Sequence, residues 1–138
     1  LKEHLEEMGL AIVDEKRNCI VEQIKSILQF QQYQLDPPLK INLSAHLSEQ
    51  LQYNYSYLSN LFSETEGMTI RDYVIQLRIV RVKQMLLVEQ MDLLEITYQL
   101  HYSSVAHLAA QFKQVTGMTT TEFKKAAVMA DLQLRITA

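Results

Sequence analysis

LSNLFSETEGMTIRDY (58–73) and LAAQFKQVTGMTTTEF (108–123) stand fifty positions apart in a chain of 138 residues. At that offset Leu58 pairs with Leu108, Phe62 with Phe112, Gly67 with Gly117, Met68 with Met118 and Thr69 with Thr119. Asp72/Glu122 and Tyr73/Phe123 are conservative pairs. Each copy sets a leucine and a phenylalanine four residues apart, on one face of a helix. A glycine then provides a left-handed stop, and a Thr-x-x-acid box starts the next helix. Upstream, Leu47 and Leu51 match Ile96 and Leu100 at an offset of forty-nine, so the turn of the second copy carries one extra residue.

Worked outward, the signals predict a helix capped by Ser44 and ending near Leu51, then one from Asn54 to about Thr65 with Tyr57, Leu58, Leu61 and Phe62 inward. A long helix follows from Thr69 to about Val88, with Tyr73, Leu77, Val80 and Leu87 among its apolar positions. Asp92-x-x-Glu95 opens the repeat, Ser103 or Ser104 caps its second helix, and Thr119-x-x-Glu122 opens the last helix. Two short helices joined by a tight turn form a helix-turn-helix, with Ser48 and Thr97 as equivalent small residues at the packing point. The long helix is expected to be a spacer between the copies.

Residues 1–38 read as a separate N-terminal segment and 39–138 as the double helix-turn-helix domain, divided at Asp36-Pro37-Pro38, where proline breaks the chain. The segment reads as a helix ending at Gly9, an apolar run LAIVD (10–14), and a helix from about Asn18 to Tyr33 striped by Ile20, Val21, Ile24, Ile27 and Leu28. The fold class is therefore all-α: two helix-turn-helix subdomains joined by a long helix, preceded by a small helical segment that could also be an α+β remnant. The chain begins at Leu1 within a helical pattern, so a piece of a longer protein is expected.

Three glycines, two prolines and 21% charged residues suit a helical globular protein. No apolar run is long enough to span a bilayer, and the single Cys19 builds no internal disulfide, so a cytoplasmic setting is expected. Net charge is −3, carried by the first 39 residues, with four Lys/Arg against seven Asp/Glu; residues 40–125 hold eight of each.

Two copies of a helix-turn-helix separated by one long helix resemble the DNA-binding domain of the AraC/XylS family of bacterial transcription regulators, over about residues 41–125. The motifs are Tyr57-Leu58-Ser59-x-Leu61-Phe62 with Gly67, Tyr73 with Arg78 in the linker helix, and Phe112-Lys113-x-x-Thr116-Gly117-Met118-Thr119 with Phe123-Lys124. The resemblance implies recognition helices held about one DNA turn apart, roughly 34 Å, reading successive major grooves of double-stranded DNA. It also implies that Arg78 tends toward a structural ion pair. RNA polymerase, and a second copy meeting at the N-terminal segment, are further candidate partners; no membrane and no cofactor are expected. Departures are Gln52 and His101 where the turns often carry glycine, and Thr120 where the last helix usually opens with proline.

Mapped by the resemblance, Tyr55, Ser56, Ser59 and Asn60 would read bases in the first half, and Val105, Ala106 and Ala110 in the second. Asn60 can bond an adenine edge at two points, whereas the alanines offer only contact with thymine methyls. Lys40, Ser63, Arg71, Lys113 and Lys124 would hold phosphates, with Lys83 and Lys125 on the same side and Glu49, Glu64, Glu66 and Glu89 facing away. His107 is expected to pack or face phosphate. No phosphate loop, paired-cysteine metal pattern or nucleophile elbow is present, so no enzyme is expected. The neutral charge of 40–125 and the apolar second face leave a rival reading, a protein-interaction module that kept the fold but lost strong DNA contact.

Overall fold

The computed structural model describes residues 2–32 and 42–137. Among them the chain is entirely helical: α1 (Lys2–Gln31), α2 (Leu43–Leu51), α3 (Tyr55–Glu66), α4 (Ile70–Leu87), α5 (Leu93–Gln99), α6 (Val105–Thr116) and α7 (Thr120–Thr137). They divide into two compact units, one through Val74 and one from Ile75 onward.

In the first unit α1 packs on both α2 and α3. Ile20, Val21, Ile24 and Leu28 of α1 are buried, as are Leu47 of α2, Leu58, Leu61 and Phe62 of α3, and Ile70. The ring of Tyr73 meets Phe62 edge-on at 5.4 Å, and Gln29 donates to the Tyr73 hydroxyl at 3.0 Å. Charges flank this contact: Arg17 pairs with Glu64 at 2.9 Å, and Lys25 with Glu66 at 2.6 Å and Glu22 at 3.5 Å. The hydrogen bond that Lys25 donates to the Glu66 carboxylate holds its ammonium above its ordinary pKa.

The second unit repeats the plan. Ile79, Val82, Met85 and Leu86 of α4 cluster with Ile96, Leu100, Tyr102, Leu108 and Phe112, and Phe123 packs against them. Phe112 and Phe123 meet edge-on at 5.5 Å, in the positions that Phe62 and Tyr73 hold in the first copy.

The punctuation follows the sequence closely. Asn54, Asp92 and Ser104 cap their helices through side-chain oxygens, and Gly67 and Gly117 take left-handed conformations at φ 72° and 78°. At Thr119 both arms of the capping box close: Glu122 N–H donates to Thr119 Oγ1 at 3.1 Å, and Thr119 N–H to the Glu122 carboxylate at 3.2 Å. Each such cap is worth about 1 kcal/mol.

Several expectations are corrected. α1 runs unbroken through Gly9 and through residues 10–14, so neither the first break nor a strand remnant exists there. One glycine costs a helix only about 1 kcal/mol, too little to stop it without a proline. The proposed break at Asp36-Pro37-Pro38 lies outside the described residues. Asn42, not Ser44, caps α2: its side-chain oxygen accepts from the Ser44 amide at 3.2 Å and the Ser44 hydroxyl at 2.6 Å. In α4, Val80 and Leu87 are exposed, while Ile79, Val82, Met85 and Leu86 are buried. That helix serves two cores in turn, Ile70 in one unit and Ile79 onward in the other, so no single apolar stripe describes it.

Gln52 and His101 both adopt left-handed backbone, at φ 57° and 60°, where the two turns place them one residue before a tyrosine. A side chain in that region is disfavoured by roughly 1–2 kcal/mol, against a glycine entropy cost of about 0.5–1 kcal/mol. Gln52→Gly and His101→Gly are each expected to raise stability by up to about 1 kcal/mol in urea denaturation, and a loss of stability would show that the side chains hold the turns.

Candidate nucleic-acid interface

Each unit builds a recognition helix by anchoring its back and leaving its front free. In the first, the Ser48 hydroxyl donates to the Tyr53 carbonyl at 2.7 Å, tying α2 to the turn. Asn54 then caps α3, its side chain accepting from the Ser56 amide at 2.8 Å. With Leu58, Leu61 and Phe62 buried, Ser56 and Asn60 are left exposed and Tyr55, Ser59 and Ser63 half-buried. Ser56, Asn60 and Ser63 fall at i, i+4 and i+7, one row of the helix surface.

In the second unit Thr97, buried, donates to the Leu93 carbonyl at 2.7 Å, and the Tyr102 amide donates to the Thr97 carbonyl at 3.0 Å. Ser104 caps α6 by accepting from the His107 amide at 3.0 Å. Leu108 and Phe112 are buried; Ala106, Ala110 and Lys113 form the outward row equivalent to Ser56, Asn60 and Ser63, with Val105 half-buried beside it.

Tyr102 organises the base of α6. Its hydroxyl donates to the Gln111 side-chain oxygen at 2.6 Å, and the Arg78 guanidinium lies 4.6 Å from its ring centre. Burial pushes the phenol above its ordinary pKa, with Arg78 opposing. Arg78 also donates to the Leu100 carbonyl at the end of α5. The expected ion pair of Arg78 is thus replaced by a carbonyl and an aromatic face, because the end of a helix leaves carbonyls without intrahelical partners. His107 is exposed, edge-on to Tyr102 at 5.3 Å, with Nδ1 3.2 Å from the Ser103 hydroxyl.

Among the cations, Arg71, Lys113, Lys124 and Lys125 are exposed, Lys83 lies 5.5 Å from the Phe123 ring centre, and Lys40 lies outside the described residues. Two carboxylates at the end of α3, Glu64 and Glu66, are engaged by Arg17 and Lys25 of α1, and Glu89 by Arg81 at 3.1 Å. Residues 40–125 hold eight cations and eight carboxylates, and α1 takes up two of the latter. That engagement was not foreseen, although Arg17 and Lys25 flank the buried stripe of α1 in the sequence. Tyr57, expected inward, is 43% exposed and stacks on Tyr53 at 5.4 Å, so a further aromatic joins the front of α3. A tyrosine at that spacing fits inside a helix pattern as well as outside it, and only the position of the turn decides.

Each unit is therefore a helix-turn-helix, and the chain is a double helix-turn-helix protein. Comparisons with known proteins agree. A family profile described as a helix-turn-helix domain matches residues 47–126. The Msm operon regulatory protein of Streptococcus mutans is 24% identical over 124 residues, which are 88% of this chain and 42% of that protein. The chain thus spans less than half the length of that relative. Among solved structures, the C-terminal domain of AraT, a response regulator from Geobacillus stearothermophilus, matches with a TM-score of 0.63 and 20% identity, over 78% of this chain and 84% of that one. The C-terminal domain of the two-component response regulator yesN from Fusobacterium nucleatum matches at 0.58 and 26% identity, over 74% and 94%. The chain belongs to the AraC/XylS-type helix-turn-helix family of DNA-binding transcription regulators. No helix among the described residues is long and apolar enough to cross a membrane.

Proposed function

We propose that this chain reads a promoter or operator with both recognition helices, α3 and α6, entering successive major grooves of one duplex. The observation that carries this reading is the equivalence of the two rows, Ser56-Asn60-Ser63 and Ala106-Ala110-Lys113, on helices that each carry a side-chain N-cap and bury a leucine and a phenylalanine. Asn60, exposed at the centre of its row, is the specific reader, since its amide can bond an adenine edge bidentately. Tyr55, Ser56 and Ser59 add adaptable contacts, and Val105, Ala106 and Ala110 pack on thymine methyls. Lys40, Ser63, Arg71, Lys113 and Lys124 hold the backbone. Residues 39–138 form the DNA-binding part, and the burial of Ile20, Val21, Ile24 and Leu28 favours a packing role for the segment before it.

The test is selection from randomised duplex DNA by the full chain, followed by titration at two salt concentrations. A recovered consensus is expected, stronger in one half, with affinity falling steeply as salt rises. Asn60→Ala should cost about 1–3 kcal/mol at one base position and leave the others unchanged. No retained DNA at low salt would refute the reading in favour of a protein-interaction module.

A further inference from the structure

The internal repeat supplies its own control for α7. Thr69 pairs with Thr119 at the offset of fifty, so α4 and α7 are equivalent helices. In α4, Ile79 and Val82 are buried in the cluster built with α5 and α6. Their equivalents in α7 are Met129 and Leu132, apolar still although 67% and 50% exposed. Val128 beside them is 57% exposed, and beyond Thr120 no described side chain of α7 is buried. Val128 and Leu132 lie one turn apart with Met129 adjoining, so the three form one outward patch. Single apolar residues are ordinary on a surface, whereas a joined group of them marks a contact.

Other differences between the copies say what this patch does not fit. Arg78, which donates to the Leu100 carbonyl at the end of α5, is replaced by Val128, and Met85, buried in the same cluster, by Arg135. The stripe is retained while the group that binds the end of a helix-turn-helix is lost, so a single helix suits it better than a third such unit. Charge then names the helix. Glu122 and Lys125 precede Val128, and Asp131 and Arg135 follow it. Inverting this order about Val128 sets Lys125 against Asp131 and Glu122 against Arg135, while Lys124 falls opposite Leu132, over which its stem can lie. A two-fold interface demands such self-complementarity, since each residue i meets j of the other copy and j meets i. A parallel pair would place each charge against its like. Asp131 and Arg135 are 3.3 Å apart within the helix, and both are exposed to an approaching partner.

We propose that α7 pairs antiparallel with α7 of a second copy of this chain, crossing at Val128. Met129 and Leu132 lie in the seam, Lys125 meets the partner's Asp131, and Arg135 meets the partner's Glu122. Three apolar residues from each copy make a small interface, so the dimer forms reversibly as concentration rises. This goes beyond DNA reading and does not depend on it, since α3 and α6 take no part in the pairing.

Sedimentation of the full chain without DNA, from micromolar to near-millimolar concentration, is expected to show monomers passing into dimers. Val128→Glu/Leu132→Glu should weaken the dimer at least about tenfold. Asp131→Lys should weaken it by setting like charge against the partner's Lys125, and Lys125→Asp/Asp131→Lys, with the charges exchanged, should recover it. Cys19 is exposed, so cross-linking is read in a Cys19→Ala background. There Val128→Cys should link two copies on mild oxidation, because antiparallel pairing brings it to the two-fold axis. Circular dichroism of each variant separates loss of pairing from loss of fold. Monomers at every concentration overturn the proposal and assign the patch to another protein or to another part of a longer chain. A dimer that survives Val128→Glu/Leu132→Glu overturns it in favour of a different face. Failure of the exchanged charges to recover the dimer, or of Val128→Cys to cross-link, overturns the antiparallel register. Loss of affinity for a single DNA site in Val128→Glu/Leu132→Glu overturns it as well, since the patch would then belong to DNA.

Discussion

Replacing Phe112 by alanine is expected to cost about 3–5 kcal/mol, a large share of the roughly 5–15 kcal/mol that holds a domain together. Phe112 is fully buried, meets Phe123 edge-on, and joins residues from α4, α5 and α6 in one cluster. No smaller side chain there touches all of them, and a close-packed interior relaxes only partly around a lost ring. Urea denaturation should show the loss, and hydrogen exchange should show amides of α5, α6 and α7 losing protection. Phe62→Ala should act alike on α1, α2 and α3, because Phe62 holds the equivalent place against Tyr73. A cost under about 1 kcal/mol at either site would mean that the pocket closes without its ring.

Affinity for DNA should fall most when exposed cations are removed together. In Lys113→Ala/Lys124→Ala, two cations leave exposed positions, one of them in line with Ala106 and Ala110 on α6. The slope of log affinity against log salt should decrease by about 2, with at least about a tenfold loss at low salt and no change in preferred sequence. A changed base preference with an unchanged slope would assign the lysines to reading instead of holding. The expected effect is large because residues 40–125 hold no cationic excess of their own, eight cations against eight carboxylates, with Glu64 and Glu66 engaged by α1.

Most departures of the fold from the local sequence pattern share a cause. At Tyr57, Val80 and Leu87 the local pattern suits either side of a helix, and what lies across from each residue decides the outcome. Gly9 gave no break because α1 continues past it with no proline to stop it. Tyr57 turned outward because Leu58, Leu61 and Phe62 already fill the space beneath α3, and Tyr53 offers a ring to stack on. Arg78 found a helix-end carbonyl and an aromatic ring instead of a carboxylate. By contrast, the caps at Asn54, Asp92 and Thr119 and the stops at Gly67 and Gly117 appeared as read.

The sequence alone specifies the order of the helices from α2 onward, the stops at Gly67 and Gly117, the starts at Asn54, Asp92 and Thr119, and the doubling of the helix-turn-helix. These depend on hydrogen bonds and dihedral preferences within a few residues, which a local pattern records. Packing in three dimensions is what lets α1 neutralise the end of α3, brings Tyr102 to Gln111 beneath α6, and leaves Leu94 and Tyr98 uncovered on α5. Those outcomes join residues 9 to 47 positions apart or depend on the lack of a neighbour, and neither leaves a periodic trace along a chain.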